Sequence, residues 1–233
     1  MKPLLVVGSY LSPYVRKVLV CLELKGIAYQ VDHMVPFFGD DRFSKLSPLR
    51  RIPVLVDGDL VLSDSSVICE YLEDLKPDPA LYPKDVRDRA RARWLEEFAD
   101  TRMGDVFIWR YFNQIAIRPS VWGEKGDKAL VEKTLNEDIP AVLDYLEAEA
   151  PTEGFRFGAL SIADIAPACF LRTVSFVRFQ IDPAQAVPML RRHNSRRRVR
   201  AQHTPRTNVQ AASRKCFCCK KSGDRLVLVT DRF

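Results

Sequence analysis

The chain has 233 residues, 47% of them apolar and 28% charged, a composition that excludes disorder of the whole chain. Its length allows one large or two small domains, and either can bury a core. No apolar run approaches the ~18 residues of a membrane span, and the opening Met1–Gly8 stretch is too short for a signal peptide, so a cytoplasmic protein is expected.

Charge is unevenly spread. Residues 191–233 hold thirteen Lys and Arg against Asp224 and Asp231, a balance of +11, which leaves residues 1–190 at −5 within the net +6. An inference from basicity to nucleic acid therefore concerns the tail alone. Cys21, Cys69 and Cys169 lie singly in apolar segments, as buried reduced thiols do. Cys216, Cys218 and Cys219 crowd into four residues without the second pair that zinc spacing needs, so no metal site is expected.

In chain order, Leu4–Gly8 reads as a short buried strand. Ser12-Pro13 opens a helix whose apolar stripe is Val15, Val18, Leu19 and Leu22, and Gly26 stops it. Residues 29–32 form a second strand, making a β-α-β start. Residues 36–48 read as irregular or weakly helical. Residues 52–56 and 60–62 flank Asp57-Gly58 as a hairpin. Ser63-Asp64-Ser65-Ser66 opens a helix carrying Val67, Ile68, Tyr71, Leu72 and Leu75. Pro77, Pro79 and Pro83 then interrupt the chain. The chain from there to about residue 180 is predicted to be helical, with helical patterning over 85–112 and 128–149 and again after Ser161-Ile162-Ala163-Asp164, where Asp fills the acidic place of a capping box. The pattern is a small α/β domain followed by an all-α domain, with boundaries expected at 1–78, a linker at 79–83, a helical domain at 84–190, and a basic tail at 191–233.

Over residues 3–190 this order, with Ser12-Pro13-Tyr14-Val15-Arg16, Arg51-Ile52-Pro53-Val54-Leu55, Asp64-Ser65 and Ser161–Asp164, resembles the cytosolic glutathione transferases, closest to their serine-type, theta- and tau-like members. The resemblance implies a thioredoxin-like first domain and a helical second one. It implies that Ser12 activates the thiol of glutathione, with Ser9 and Tyr10 as competitors. A thiol with a pKa near ~8.5 is mostly protonated at neutral pH. A hydroxyl donating to sulfur, and the helix N-terminus behind it, both favour the thiolate.

The resemblance further implies a cis bond at Ile52–Pro53 that presents the Ile52 backbone to the cysteinyl unit. Arg51 would meet the glycyl carboxylate, and Asp64 and Ser65 the γ-glutamyl end. Ser161 and Asp164 would be structural. Asp100 is placed either toward a neighbouring subunit's glutathione or on an exposed helix face. Tyr10, Met103, Phe107 and Tyr111 are candidates for the wall of an apolar co-substrate site.

The implied activity is conjugation of glutathione, a co-substrate, to small hydrophobic electrophiles by a twofold homodimer with no metal or redox cofactor. A non-catalytic interaction module of the same fold, and a glutathione-dependent dehalogenase or peroxidase, are the alternatives. The absence of Cys at position 12 argues against mixed-disulfide chemistry. The tail departs from the pattern: where an amphipathic helix should continue, Arg191–Arg200 is strongly basic. It is expected to be disordered or a frame-shifted end, with no partner beyond non-specific contacts to nucleic acid.

Overall fold

A computed structural model describes residues 3–39, 41–174, 176, 220–222 and 225–227. Four strands, β1 (Leu4–Gly8), β2 (Tyr29–His33), β3 (Val54–Asp57) and β4 (Leu60–Leu62), form one mixed sheet in the order β2-β1-β3-β4. β2 lies parallel to β1, while β3 is antiparallel to β1 and β4 antiparallel to β3. The parallel step is carried by helix α1 (Pro13–Lys25), which Ser12 caps and which Gly26 ends in a left-handed conformation at φ 60°.

A single 3-10 turn at Pro36–Phe38 and a short helix α2 (Asp41–Leu46) occupy the segment read as irregular. Helix α3 (Ser65–Leu75) follows the hairpin. The two faces of the sheet bury different sets. Val6, Val15, Leu22, Leu55, Ile68 and Leu72 pack under α1 and α3. Val7, Val54 and Phe43 of α2 close the other face.

The second half is helical among the described residues. α4 (Val86–Phe98) runs without interruption into a segment, Ala99–Trp122, whose hydrogen bonding widens to the π type and which contains Pro119. This helix runs ten residues past the 85–112 stretch, within the region expected to be helical. Proline removes one donor but did not stop it. α5 (Lys128–Lys133) and α6 (Ile139–Glu149) are joined by a π turn at Thr134–Asp138. α7 (Ile162–Val174) completes the layer. Ser161 donates its backbone N–H and its hydroxyl to Asp164 Oδ2, each at 2.9 Å, the carboxylate half of the expected capping box, while Asp164 N–H donates to the Ser161 carbonyl at 3.0 Å.

Leu95, Ile162, Ile165 and Cys169 join the core under the sheet, so apolar packing crosses the boundary between the halves. The segment read as a linker is held from both sides. Lys25 Nζ donates to the carbonyls of Lys76 (2.7 Å) and Pro79 (2.9 Å) and pairs with Glu73 at 2.7 Å. Leu81 and Tyr82 are buried, and the Leu81 carbonyl accepts from Ile162 N–H at 2.8 Å. Cys21, Cys69 and Cys169 are buried and unbridged.

A short antiparallel ladder joins β5 (Lys220–Ser222) to β6 (Arg225–Val227). The remainder of the basic tail, with Cys216, Cys218 and Cys219, lies outside the described residues. No helix among those described is long and apolar enough to cross a membrane.

Candidate active site

Two sequence motifs, the start of α1 and the Ile52-Pro53 loop, converge where β1 ends. Gly8 makes this approach tight: a Cβ there would stand 2.6 Å from Val15 Cγ2 and 3.5 Å from Ile52 Cβ. A larger residue would push the start of α1 away from the Ile52 loop.

Ser12 is half-buried with extended backbone, φ −76° and ψ 126°, as an N-cap requires. Its Oγ accepts from Val15 N–H at a long 3.4 Å. Accepting that bond leaves the hydroxyl proton to be donated outward. The same residue thus caps the helix and offers a donor at the helix's positive end.

The Ile52–Pro53 bond is cis. The ladder with β1 begins only at Val54, which pairs with Val7, so Ile52 precedes the paired stretch and its backbone groups are not spent on the sheet. Ser47, fully buried, fixes this loop from beneath. Its Oγ donates to the Arg51 carbonyl at 2.8 Å and accepts from Arg51 N–H at 2.9 Å. The Arg51 side chain is exposed.

Asp64 caps α3, its Oδ1 accepting from Ser66 N–H (2.9 Å) and Val67 N–H (3.0 Å). Ser65 is buried as the first residue of that helix. The structure therefore brings Ser12, Arg51, Ile52, Pro53, Asp64 and Ser65 onto two helix N-termini and one loop of the same small domain.

Other predicted placements differ. Met103, Phe107 and Tyr111 are 0, 1 and 4% exposed and pack with Val106, Ile139, Val142 and Phe170 in the core of the helical half. They are packing residues rather than an open wall, because the long helix turns this face inward against α6 and α7. Tyr10 points to the β2 side. Its ring lies 5.0 Å from that of His33, and with Glu23 and Tyr29 it borders an open depression of about 480 Å³. Burial, and then the Glu23 carboxylate, raise its phenol above the ordinary tyrosine value.

Asp100 is partly buried rather than on an exposed helix face. Its Oδ2 accepts from Lys17 Nζ at 2.5 Å and from Ser66 Oγ at 2.8 Å within the same chain. Apolar groups that do reach the surface include Leu11 (53% exposed), Phe37 and Phe38 of the turn after β2, and Trp122. Phe37 and Trp122 meet edge to face at 5.3 Å, joining the two halves at the far end of the long helix.

Two further residues behind the site escaped the sequence reading. Lys17, fully buried, donates to Glu96 Oε1 (2.8 Å), Asp100 Oδ2 and Ser66 Oγ (3.0 Å). Glu96 also accepts from the Tyr82 hydroxyl at 3.0 Å. Burial raises the Glu96 carboxyl above its ordinary value and outweighs the pull of Lys17, whereas the two acids raise Lys17 against its own burial. Arg16, 4% exposed, reaches the carbonyls of Tyr10 and Leu11 at 2.7 and 2.9 Å. The available signal was charge inside a buried stripe: Arg16 and Lys17 sit between Val15 and Val18, on a helix buried on most of its circumference.

Comparison with known proteins agrees with this geometry. Residues 6–80 match the family model "Glutathione S-transferase, N-terminal domain". The chain is 33% identical over 174 residues to the "Uncharacterized GST-like protein YibF" of Escherichia coli (strain K12), covering 74% of this chain and 82% of that one. It is 28% identical over 194 residues to "Glutathione S-transferase U2" of Arabidopsis thaliana, covering 79% of each. Among solved structures, a glutathione S-transferase from Rhodospirillum rubrum F11 superposes with a TM-score of 0.75 at 23% identity, covering 96% of each chain. With the cis Ile52–Pro53 loop lying between two capped helix starts, and with that extent of similarity to YibF, the chain belongs to the glutathione S-transferase family of enzymes.

Proposed function

We propose that this chain conjugates the thiolate of glutathione to small hydrophobic electrophiles, with Ser12 as the group that stabilises the thiolate. One observation carries the reading: Ser12 holds its hydroxyl at the N-terminus of α1 with only an acceptor bond to the backbone, beside the Ile52 loop. Glutathione would lie extended, its cysteinyl backbone on the Ile52 amide and carbonyl. Its glycyl carboxylate would meet Arg51. Its γ-glutamyl carboxylate would sit at the start of α3 by Ser65, and its ammonium would meet the Asp64 carboxylate.

On binding, the thiol gives its proton to solvent. Sulfur then attacks the electrophile: in a substitution the leaving group departs with its bonding pair, and in an addition the π pair shifts onto the far atom, which takes a proton from solvent. Such a step needs a stabilised thiolate and proximity, and no redox change in the protein. Leu11, Phe37, Phe38 and Trp122 supply exposed apolar surface for the electrophile. The pair Arg93–Glu70, at 2.7 Å, ties α4 to α3. The outer face there exposes Val67 and Trp94, with Val61 on β4, and we assign this face to a homodimer.

The test is the ultraviolet absorbance of bound glutathione against pH, for the wild type and Ser12→Ala. A depressed thiol pKa in the wild type that returns toward the free value in Ser12→Ala supports the reading. Losing a hydrogen bond to a charged group should slow conjugation by about 10- to 100-fold at neutral pH, with Ser12→Thr recovering much of it. A depressed thiol pKa that survives Ser12→Ala would assign activation to another group.

A further inference from the structure

We propose that Arg16 is a positioning residue through which helix α7 of the helical domain sets the loop that carries Ser12. The inference rests on the reading of Ser12 given above and extends it to the other domain.

Arg16 lies in the first turn of α1, buried and charged at every accessible pH. A buried guanidinium is tolerated only where acceptors meet it. One arm, Nη1, donates to the Tyr10 carbonyl (2.7 Å) and the Leu11 carbonyl (2.9 Å), the two peptides immediately before Ser12. The other arm, Nη2, donates to the Cys169 carbonyl (2.6 Å) and to Thr173 Oγ1, both on α7. The partners on α7 are 153 and 157 residues away in the chain.

The guanidinium is planar and its two arms are rigidly related. The distance and tilt between α7 and the Tyr10-Leu11 carbonyls are therefore fixed by one side chain. The loop has two internal ties, Ser12 N–H to the Ser9 carbonyl at 3.0 Å and Leu11 N–H to Ser9 Oγ at 3.3 Å, and both close on Ser9 rather than on the helical domain. With both carbonyls held, rotation of the Leu11–Ser12 peptide is restrained, and so is the direction in which the Ser12 hydroxyl points. A lysine in this place would keep the charge, but without the planar fork of two Nη arms it could not hold the Tyr10-Leu11 carbonyls and the α7 acceptors in one fixed geometry.

The test titrates the thiol of bound glutathione by ultraviolet absorbance in the wild type, Ser12→Ala, Arg16→Lys and Thr173→Val, with glutathione affinity and thermal unfolding measured alongside. Thr173→Val keeps the shape of the side chain and removes one acceptor on α7 without touching the loop. The expected result is a thiol pKa raised by about half a unit to one unit in Arg16→Lys, and by a smaller step in Thr173→Val. Glutathione affinity should stay within about twofold of the wild type, because Arg51, Asp64 and Ser65 are intact.

If both variants are folded and titrate like the wild type while Ser12→Ala loses the depression, the loop is set locally and the proposal falls, although Ser12 keeps its role. If Ser12→Ala titrates like the wild type, the Ser12 reading itself fails. Should Arg16→Lys not fold, Thr173→Val decides alone. A lower melting temperature with an unmoved thiol pKa would make the brace structural only and overturn the proposal.

Discussion

Ser12 and Tyr14 sit two residues apart at the start of α1, and both carry a hydroxyl, yet burial gives them different chemistry. Tyr14 donates to the Asp100 backbone carbonyl at 2.7 Å, and its ring meets Phe170 edge to face at 5.0 Å. Its pKa is pushed up to about 12 by burial and by the Asp100 charge, with Lys17 and Arg51 pulling the other way. Tyr14 is therefore a neutral donor whose proton is already committed, and its role is to tie α1 to the long helix. Tyr14→Phe should cost about 1 kcal/mol of stability, the net worth of one hydrogen bond, and leave the thiol pKa of bound glutathione unchanged. Denaturant unfolding and the thiolate titration check the two halves of that statement. A thiol that reverts in Tyr14→Phe would transfer activation from Ser12 to Tyr14.

Among the elements, the buried cluster of Lys17, Ser66, Glu96 and Asp100 couples α1 and α3 to the helix that runs through α4 into the π segment. Breaking one side of a buried pair leaves charge without compensation, so Lys17→Met should destabilise by about 3–5 kcal/mol at neutral pH. The pH dependence follows from the two shifts. The folded pKa of Lys17 is raised, so its contribution is complete below the ordinary lysine value of 10.5 and is lost only as pH rises through the still higher folded value. The folded pKa of Glu96 is also raised, so the folded state favours its protonated form. Stability from this group declines as pH climbs from 4.5 through the folded value, and Lys17 limits that decline. Removing Lys17 should therefore cost least in acid, where Glu96 takes up a proton. Urea unfolding of both proteins at neutral pH and near pH 5 measures this, and a gap that widens in acid would contradict it.

On the scale of the whole molecule, the homodimer proposed above would use side chains exposed on α3 and α4. Val67 is 50% exposed and Trp94 is 48% exposed. Both lie close to the Arg93–Glu70 pair that holds the two helices side by side. A charge placed in the middle of an apolar association surface must be desolvated without a partner. Val67→Glu should accordingly convert the dimer to monomer, read as a halved mass by light scattering, while the melting temperature of the folded chain changes little. A wild-type monomer, or a Val67→Glu dimer of unchanged affinity, would remove this face from the interface.

Local order was legible in the sequence wherever a residue acts on its immediate neighbours. Ser12-Pro13 and Gly26 delimit α1, Asp57-Gly58 turns the hairpin, Asp64 caps α3, and Ser161 with Asp164 closes the capping box. Each depends on backbone groups within a few positions, so the residue types alone specify it. The family pattern around Ile52-Pro53 was legible for the same reason. The fate of the long helix was not. A stripe of Met103, Phe107 and Tyr111 reads identically whether it faces a pocket or a core, and only the packing of α6 and α7 against it decided for the core. Asp100 is likewise silent in sequence, because its partner Lys17 lies 83 positions away. Arg16 binds partners more than 150 residues distant. Residue types acting on near neighbours specify which turns, caps and strands form. Tertiary structure alone decided which charges are buried together, since a buried charge is set by what the rest of the chain brings within hydrogen-bond reach.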